Sequence, residues 1–93
     1  MTGHDVLLVG ADSALAFDAH GRIGDGWVYV VDPRVDALEA LLREAHAAGV
    51  SGIAYLIGDG GVLPLPDASV HEALVADGAE VAEDELRRVV VTL

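Results

Sequence analysis

The residues best placed to do chemistry in this chain are carboxylates at the ends of apolar runs. Asp32 closes the run Trp27-Val28-Tyr29-Val30-Val31 and is followed by Pro33 and by Val35, Leu38, Leu41 and Leu42 at helical spacing. A carboxylate is an acceptor with two oxygens side by side. At the carboxyl end of a buried strand it therefore suits two adjacent hydroxyls, such as those of a ribose, in a nucleotide- or nucleoside-binding α/β domain. The same aspartate before a proline equally fits a helix cap, worth about 1 kcal/mol. Asp59, within Gly58-Asp59-Gly60-Gly61, follows another apolar run and also has the composition of a turn. Asp12 and Ser13 read as the cap of a first helix.

His71 precedes the fourth apolar run, near the expected opening of the crevice, where an imidazole can act as a general base. His4, His20 and His46 fall in separate segments without ligand spacing, and the chain has no cysteine, so no metal centre is expected. Glu80, Glu83, Asp84 and Glu85 read as a solvated helix face, and Asp67 and Asp77 as loop carboxylates. Neither a Ser-His-Asp order, a nucleophile elbow nor a phosphate-binding loop occurs.

Positioning these groups requires strands and crossover helices. Five apolar runs recur at a nearly regular interval: Val6 to Val9, Trp27 to Val31, Ile53 to Ile57, Ala73 to Ala76 and Val89 to Leu93. They are continuous rather than alternating, as in strands buried on both faces of a parallel sheet. The pattern predicts a helix over Arg34 to Ala48, capped by Asp32, started by Pro33 and closed by Gly49. A first helix is expected over Ser13 to His20, ended by Gly21, and a last one within Glu80 to Arg88. Gly58 to Ser69, with three glycines and two prolines, reads as a loop. The sum is an open Rossmann-like parallel sheet of about five strands in the order 3-2-1-4-5, with helices on both faces, forming one domain over residues 1–93.

Composition bounds the partners. Sixteen acidic residues against five arginines and no lysine give a formal charge of −11, which repels the phosphates of nucleic acid and of anionic lipid. No apolar stretch approaches the ~18 residues of a membrane span and the amino terminus has no basic region, so a cytoplasmic protein is expected. A domain this small buries only somewhat over ~60 % of its unfolded surface, yet 53 % of its residues are hydrophobic. Self-association is the expected relief, with Val89 to Leu93 as an uncharged edge strand open to pairing in a homodimer.

Laid end to end, the segments resemble the front half of the class I S-adenosylmethionine-dependent methyltransferases. VYVVDPRVDALEAL is similar to that family's second motif, and IGDGGVLPLPDAS to its third. Val6-Leu7-Leu8-Val9-Gly10 stands in the place of the first, and Glu85-Leu86-Arg87-Arg88-Val89 resembles a later Glu-Leu-Arg-Arg-Val-Leu segment. The resemblance implies S-adenosylmethionine as cofactor, with Gly10, Asp32, Pro33, Asp59 and Gly60 as the binding positions. Asp32 would take the ribose hydroxyls and Asp59 the adenine amino group. The chain departs from the family after the first strand, where Leu8-Val9-Gly10-Ala11-Asp12-Ser13-Ala14 keeps one of three glycines and has leucine in place of an acid. Side chains at Asp12 and Ala14 stand where close backbone approach is wanted, which weakens cofactor binding. A carboxylate at Asp12 also disfavours a dinucleotide's pyrophosphate at the same helix end.

The resemblance further implies that the family's carboxyl-terminal part, where much of the acceptor pocket lies, has no counterpart here. Two readings follow. In the first, the chain is a methyltransferase-like protein retaining part of an adenosyl crevice, with weak or no methyl transfer in isolation. In the second, it is a non-catalytic binding or assembly module that keeps the fold and has lost the cofactor.

Overall fold

A computed structural model describes residues 4–91. The elements run β1 (Val6–Val9), α1 (Ser13–Ile23), β2 (Val28–Asp32), α2 (Val35–Ala47), β3 (Ile53–Ile57), β4 (Glu72–Val75) and α3 (Glu83–Val89). All strand pairs are parallel and the sheet order is β3-β2-β1-β4, which is the expected order for the first four strands. β1 is central, pairing Val6 with both Val28 and Glu72, and all four of its residues are buried.

The continuous apolar runs resolve into two faces because successive side chains alternate across the sheet. Val6, Leu8, Val28, Val30 and Ile53 point to one side, where Ala16, Ala19 and Ile23 of α1 and Leu38, Leu41 and Ala45 of α2 cover them. Leu7, Val9 and Val31 point to the other, against Leu63, Val70 and Val89, with Leu86 of α3 packed alongside. Helices thus lie on both faces, and the chain changes face where the sheet order reverses, between β1 and β4.

Several local expectations are corrected. Among the described residues the sheet has four strands rather than about five, and the described part of the fifth run contributes one parallel bridge, Val70 to Val90. Val89 belongs to α3 with its side chain fully buried, so it is not part of an exposed edge strand. Thr92 and Leu93 lie outside the described residues. Gly21 does not end α1. The helix continues to Ile23, whose burial outweighs the roughly 1 kcal/mol that an interior glycine costs, and Gly24 ends it at φ 67°. Asp32 and Pro33 do not cap and start α2: the N-cap is Arg34, without a side-chain cap bond, and Asp32 is taken up by other contacts. Val35 and Leu42 lie half exposed on the outer face of α2. Gly49, at φ 71°, does close the helix, its amide donating to the His46 carbonyl at 3.2 Å.

The connection from Gly58 to Ser69 is a loop, pinned by Arg88. Its guanidinium donates to the carbonyls of Leu65 (2.7 Å) and Leu63 (2.9 Å), to Asp67 (2.9 Å) and to both oxygens of Glu85 (2.8 and 2.9 Å). Glu85 in turn accepts the Leu63 amide at 2.7 Å. Glu85 is therefore not part of a solvated face: its side chain is only 16 % exposed, and Arg88 with the Leu63 amide holds its carboxyl down at about 2.

Candidate functional site

The carboxyl ends of β1, β2 and β4 open onto a crevice of about 550 Å³. After β1, Gly10 adopts φ 100° while its amide still donates to the Val31 carbonyl at 2.8 Å. A Cβ on Gly10 would lie 2.9 Å from that of Ala76 and 3.1 Å from that of Ala79, so glycine is needed for both the backbone angle and the close approach of the loop after β4. Asp12 then caps α1, accepting the Leu15 amide at 3.1 Å, as its sequence context suggested.

Asp32 closes β2 and is only 2 % exposed. Its Oδ1 accepts the backbone amide of Arg34 (2.8 Å) and Nε of the same residue (3.1 Å). Its Oδ2 accepts the amide of Ala11 (2.9 Å) and Nη2 of Arg34 (3.0 Å). The guanidinium bonds first, and then the two amides, outweigh burial and hold the carboxyl at about 2. Asp32 thus joins the β1–α1 loop to the start of α2 and is ionised throughout the neutral range.

Of the positions inferred from sequence, Gly10, Asp32, Pro33 and Asp59 all line this crevice. Asp59 is exposed, and its Oδ1 accepts the Gly61 amide at 2.9 Å, so its turn-forming role is realised at the crevice wall. Gly60 lies beyond that wall, in a neighbouring recess with Gly61, Val81 and Ala82. It is buried at φ 83°, a Cβ there would fall 2.2 Å from the Glu80 carbonyl oxygen, and its own carbonyl accepts the Ala82 amide at 2.9 Å.

His71 is not at the crevice. It stands at the amino end of β4, and because the strands are parallel that is the opposite end of the sheet. There its Nδ1 accepts the Asp5 amide at 3.0 Å and its ring stacks on His4 at 5.0 Å. Asp67 likewise lies outside the crevice lining and accepts from Arg88 at 2.9 Å.

Sequence reasoning overlooks Arg34, and it reads Asp77 only as a loop carboxylate and Glu80 as part of a solvated helix face; all three line the crevice, Glu80 from the stretch ahead of α3. Arg34 follows Asp32 by two residues, the interval at which an aspartate side chain turns back onto the downstream backbone, and that signal was present in the sequence. Asp77 and Glu80 reach the crevice through the turn after β4, closed by the Ala79 amide on the Ala76 carbonyl at 3.0 Å. The lining therefore carries Asp12, Asp32, Asp59, Asp77 and Glu80 against Arg34 alone, a field that favours a positively charged ligand. Among the described residues no group of three or more His, Cys, Asp or Glu is arranged to hold a metal ion, and no helix is long and apolar enough to cross a membrane.

A crevice outside the carboxyl ends of parallel strands, at the reversal of strand order, is where open α/β sheets bind ligands. Comparison with solved structures agrees with this architecture. The chain is similar to a SAM dependent methyltransferase from Aquifex aeolicus, with a TM-score of 0.81 and 24% identity over 95% of this chain and 51% of that one. It is also similar to the YcgJ protein from Bacillus subtilis, with a TM-score of 0.84 and 23% identity over 96% of this chain and 40% of that one. A scan against protein-family models and a search of curated proteins give no match. The fold is therefore class I methyltransferase-like, a Rossmann-like α/β domain that spans about half or less of the length of these two neighbours.

Proposed function

We propose that this domain is the adenosyl-binding part of a methyltransferase-like protein, with S-adenosylmethionine as the ligand of its acidic crevice. The observation that carries the reading is Asp32. A buried, ionised carboxylate ends the strand beside the reversal point, with one acceptor site on each oxygen not committed to backbone amides. In this reading the ribose hydroxyls donate to those two sites. Asp59 accepts the adenine amine, and Gly10 and Pro33 border the crevice. Gly60 shapes the wall behind Asp59 instead of contacting the ligand. Asp12, Asp77 and Glu80 supply a negative field for a ligand whose sulfonium and ammonium outweigh its one carboxylate. When bound, the cofactor supplies an electrophilic methyl group. The described residues supply the binding and orientation of its adenosyl part. A bound cofactor gives no rate without a positioned acceptor, so methyl transfer by these 93 residues alone is proposed to be weak or nil.

Titration calorimetry with S-adenosylmethionine and S-adenosylhomocysteine tests this. Asp32→Ala is expected to weaken binding by roughly 1–3 kcal/mol, the cost of losing a charged acceptor. Equal affinity of the variant and the wild type, or no binding to wild type at millimolar ligand, would refute the ribose role. One observation favours the second reading, a module that keeps the fold without the ligand: both open acceptor sites of Asp32 are filled by Arg34. In either reading we place the protein in the cytoplasm.

A further inference from the structure

Asp32 and Arg34 are unequal partners. The carboxylate is 2 % exposed, whereas the arginine side chain that covers it is 67 % exposed. Two of the four bonds to the carboxylate belong to the backbone: the Ala11 amide on Oδ2 ties the β1–α1 loop to β2, and the Arg34 amide on Oδ1 makes the turn into α2. The other two, from Nε to Oδ1 and from Nη2 to Oδ2, come from one guanidinium. Two donors held side by side, one addressed to each oxygen, present the same pattern as a vicinal diol.

We propose that Arg34 is an internal competitor for the diol subsite, which it occupies until a ribose displaces both of its bonds, so that residue 34 sets how tightly an adenosyl ligand is held. The proposal rests on the adenosyl reading above. Displacement is feasible because the guanidinium is mostly in water, makes no other hydrogen bond among the described residues, and has Asp36 on the first turn of α2 as an alternative counter-ion. The backbone bonds to Asp32 stay in place as it leaves, so the subsite keeps its shape when the occupants exchange. Arg34 thereby reconciles a carboxylate that is fully satisfied within the chain with one that can still receive a ligand.

The test uses adenosine, which carries the diol and no charge, so that any effect of ionic strength reports on the competitor. Arg34→Ala, which opens both sites, is expected to bind adenosine roughly 3- to 30-fold tighter than wild type, the range for losing a charge-assisted pair that is partly screened by solvent. Arg34→Lys, a point charge that cannot address both oxygens at once, is expected to fall between them. Raising salt from low to about 0.5 M is expected to tighten adenosine binding to wild type by screening the exposed guanidinium, and to do so much less in Arg34→Ala. Adenosine affinities of both variants equal to or weaker than wild type would overturn the proposal. They would leave the adenosyl reading standing wherever Asp32→Ala still weakens binding. Absence of adenosine binding by wild type and both variants would overturn the two together.

Discussion

Replacing Gly10 by alanine tests whether the crevice is built as described. Two costs arise separately. At φ 100° the backbone lies where a side chain is strained by about 1–3 kcal/mol. The new methyl would also stand 2.9 Å from Ala76 Cβ, so the end of β4 must move, an overpacking effect of typically 1–3 kcal/mol. Together the loss should be about 2–6 kcal/mol, or roughly 10–30 °C in melting temperature at about 5 °C per kcal/mol for a domain of this size. Urea unfolding followed by circular dichroism gives the loss directly. Combining Gly10→Ala with Ala76→Gly isolates the closer contact, because the second change removes the Ala76 methyl and leaves the dihedral strain and the 3.1 Å approach to Ala79. The cycle should show a coupling of about 1 kcal/mol in favour of the double variant. A loss below about 0.5 kcal/mol for Gly10→Ala would mean that the β1–α1 loop adopts another conformation, and the crevice described here would not survive that result.

Acid should weaken the fold through Asp32, whose carboxyl is lowered from 3.8 to about 2. Its contribution is fully present above pH ~4 and is lost as pH falls through ~2, amounting to at most about 2 kcal/mol and less after screening of the exposed Arg34. Acid titration of Asp32→Asn should lack this step, and an identical acid profile would refute it. Arg88→Ala should speed amide exchange across residues 58–69 more than in β1 or β2, because that loop loses its anchor at Leu63, Leu65 and Asp67. Unchanged exchange there would show that the loop is held by its apolar contacts and its remaining polar anchors, the Leu63 amide on Glu85 and the Ala68 and Ser69 amides on the carbonyls of residues 88 and 89. We also expect self-association, since Trp27, Val35, Leu42, Ile57, Val62 and Val75 leave substantial apolar surface exposed. Light scattering that gives a monomer mass at tens of micromolar protein, at both low and high salt, would rule this out.

The fold was legible because a buried parallel strand needs an unbroken apolar run, and β1, β2 and β3 provide one each. Their order followed from the crossover rules. Asp32 was legible because a charge at the end of such a run must be paired or functional. Boundaries were less so: Ile23 extends α1 past Gly21 because its burial outweighs a local propensity, and Val89 joins α3 because it fills the face opposite α1. His71 was misplaced because a linear reading put it beside β4 without asking which end of a parallel strand faces the crevice. Glu85 looked solvated because its partner, Leu63, lies across a loop that carries no periodic signal. Arg34 was overlooked because an exposed arginine on a helix start is unremarkable until the acceptor it covers is known to be buried.

The all-parallel sheet also bears on how the chain folds. No strand can pair with its neighbour across a tight turn, so every ladder waits for a crossover to close. β1 meets β2 across α1, but it meets β4 only across a loop roughly three times as long, which costs about 1 kcal/mol more in closure entropy. The β1–β2–β3 half can therefore assemble first, with β4 docking onto an existing edge. Because Asp77 and Glu80 follow β4, the crevice would be the last part of the molecule to exist, and a ligand would recognise only chains that had finished folding.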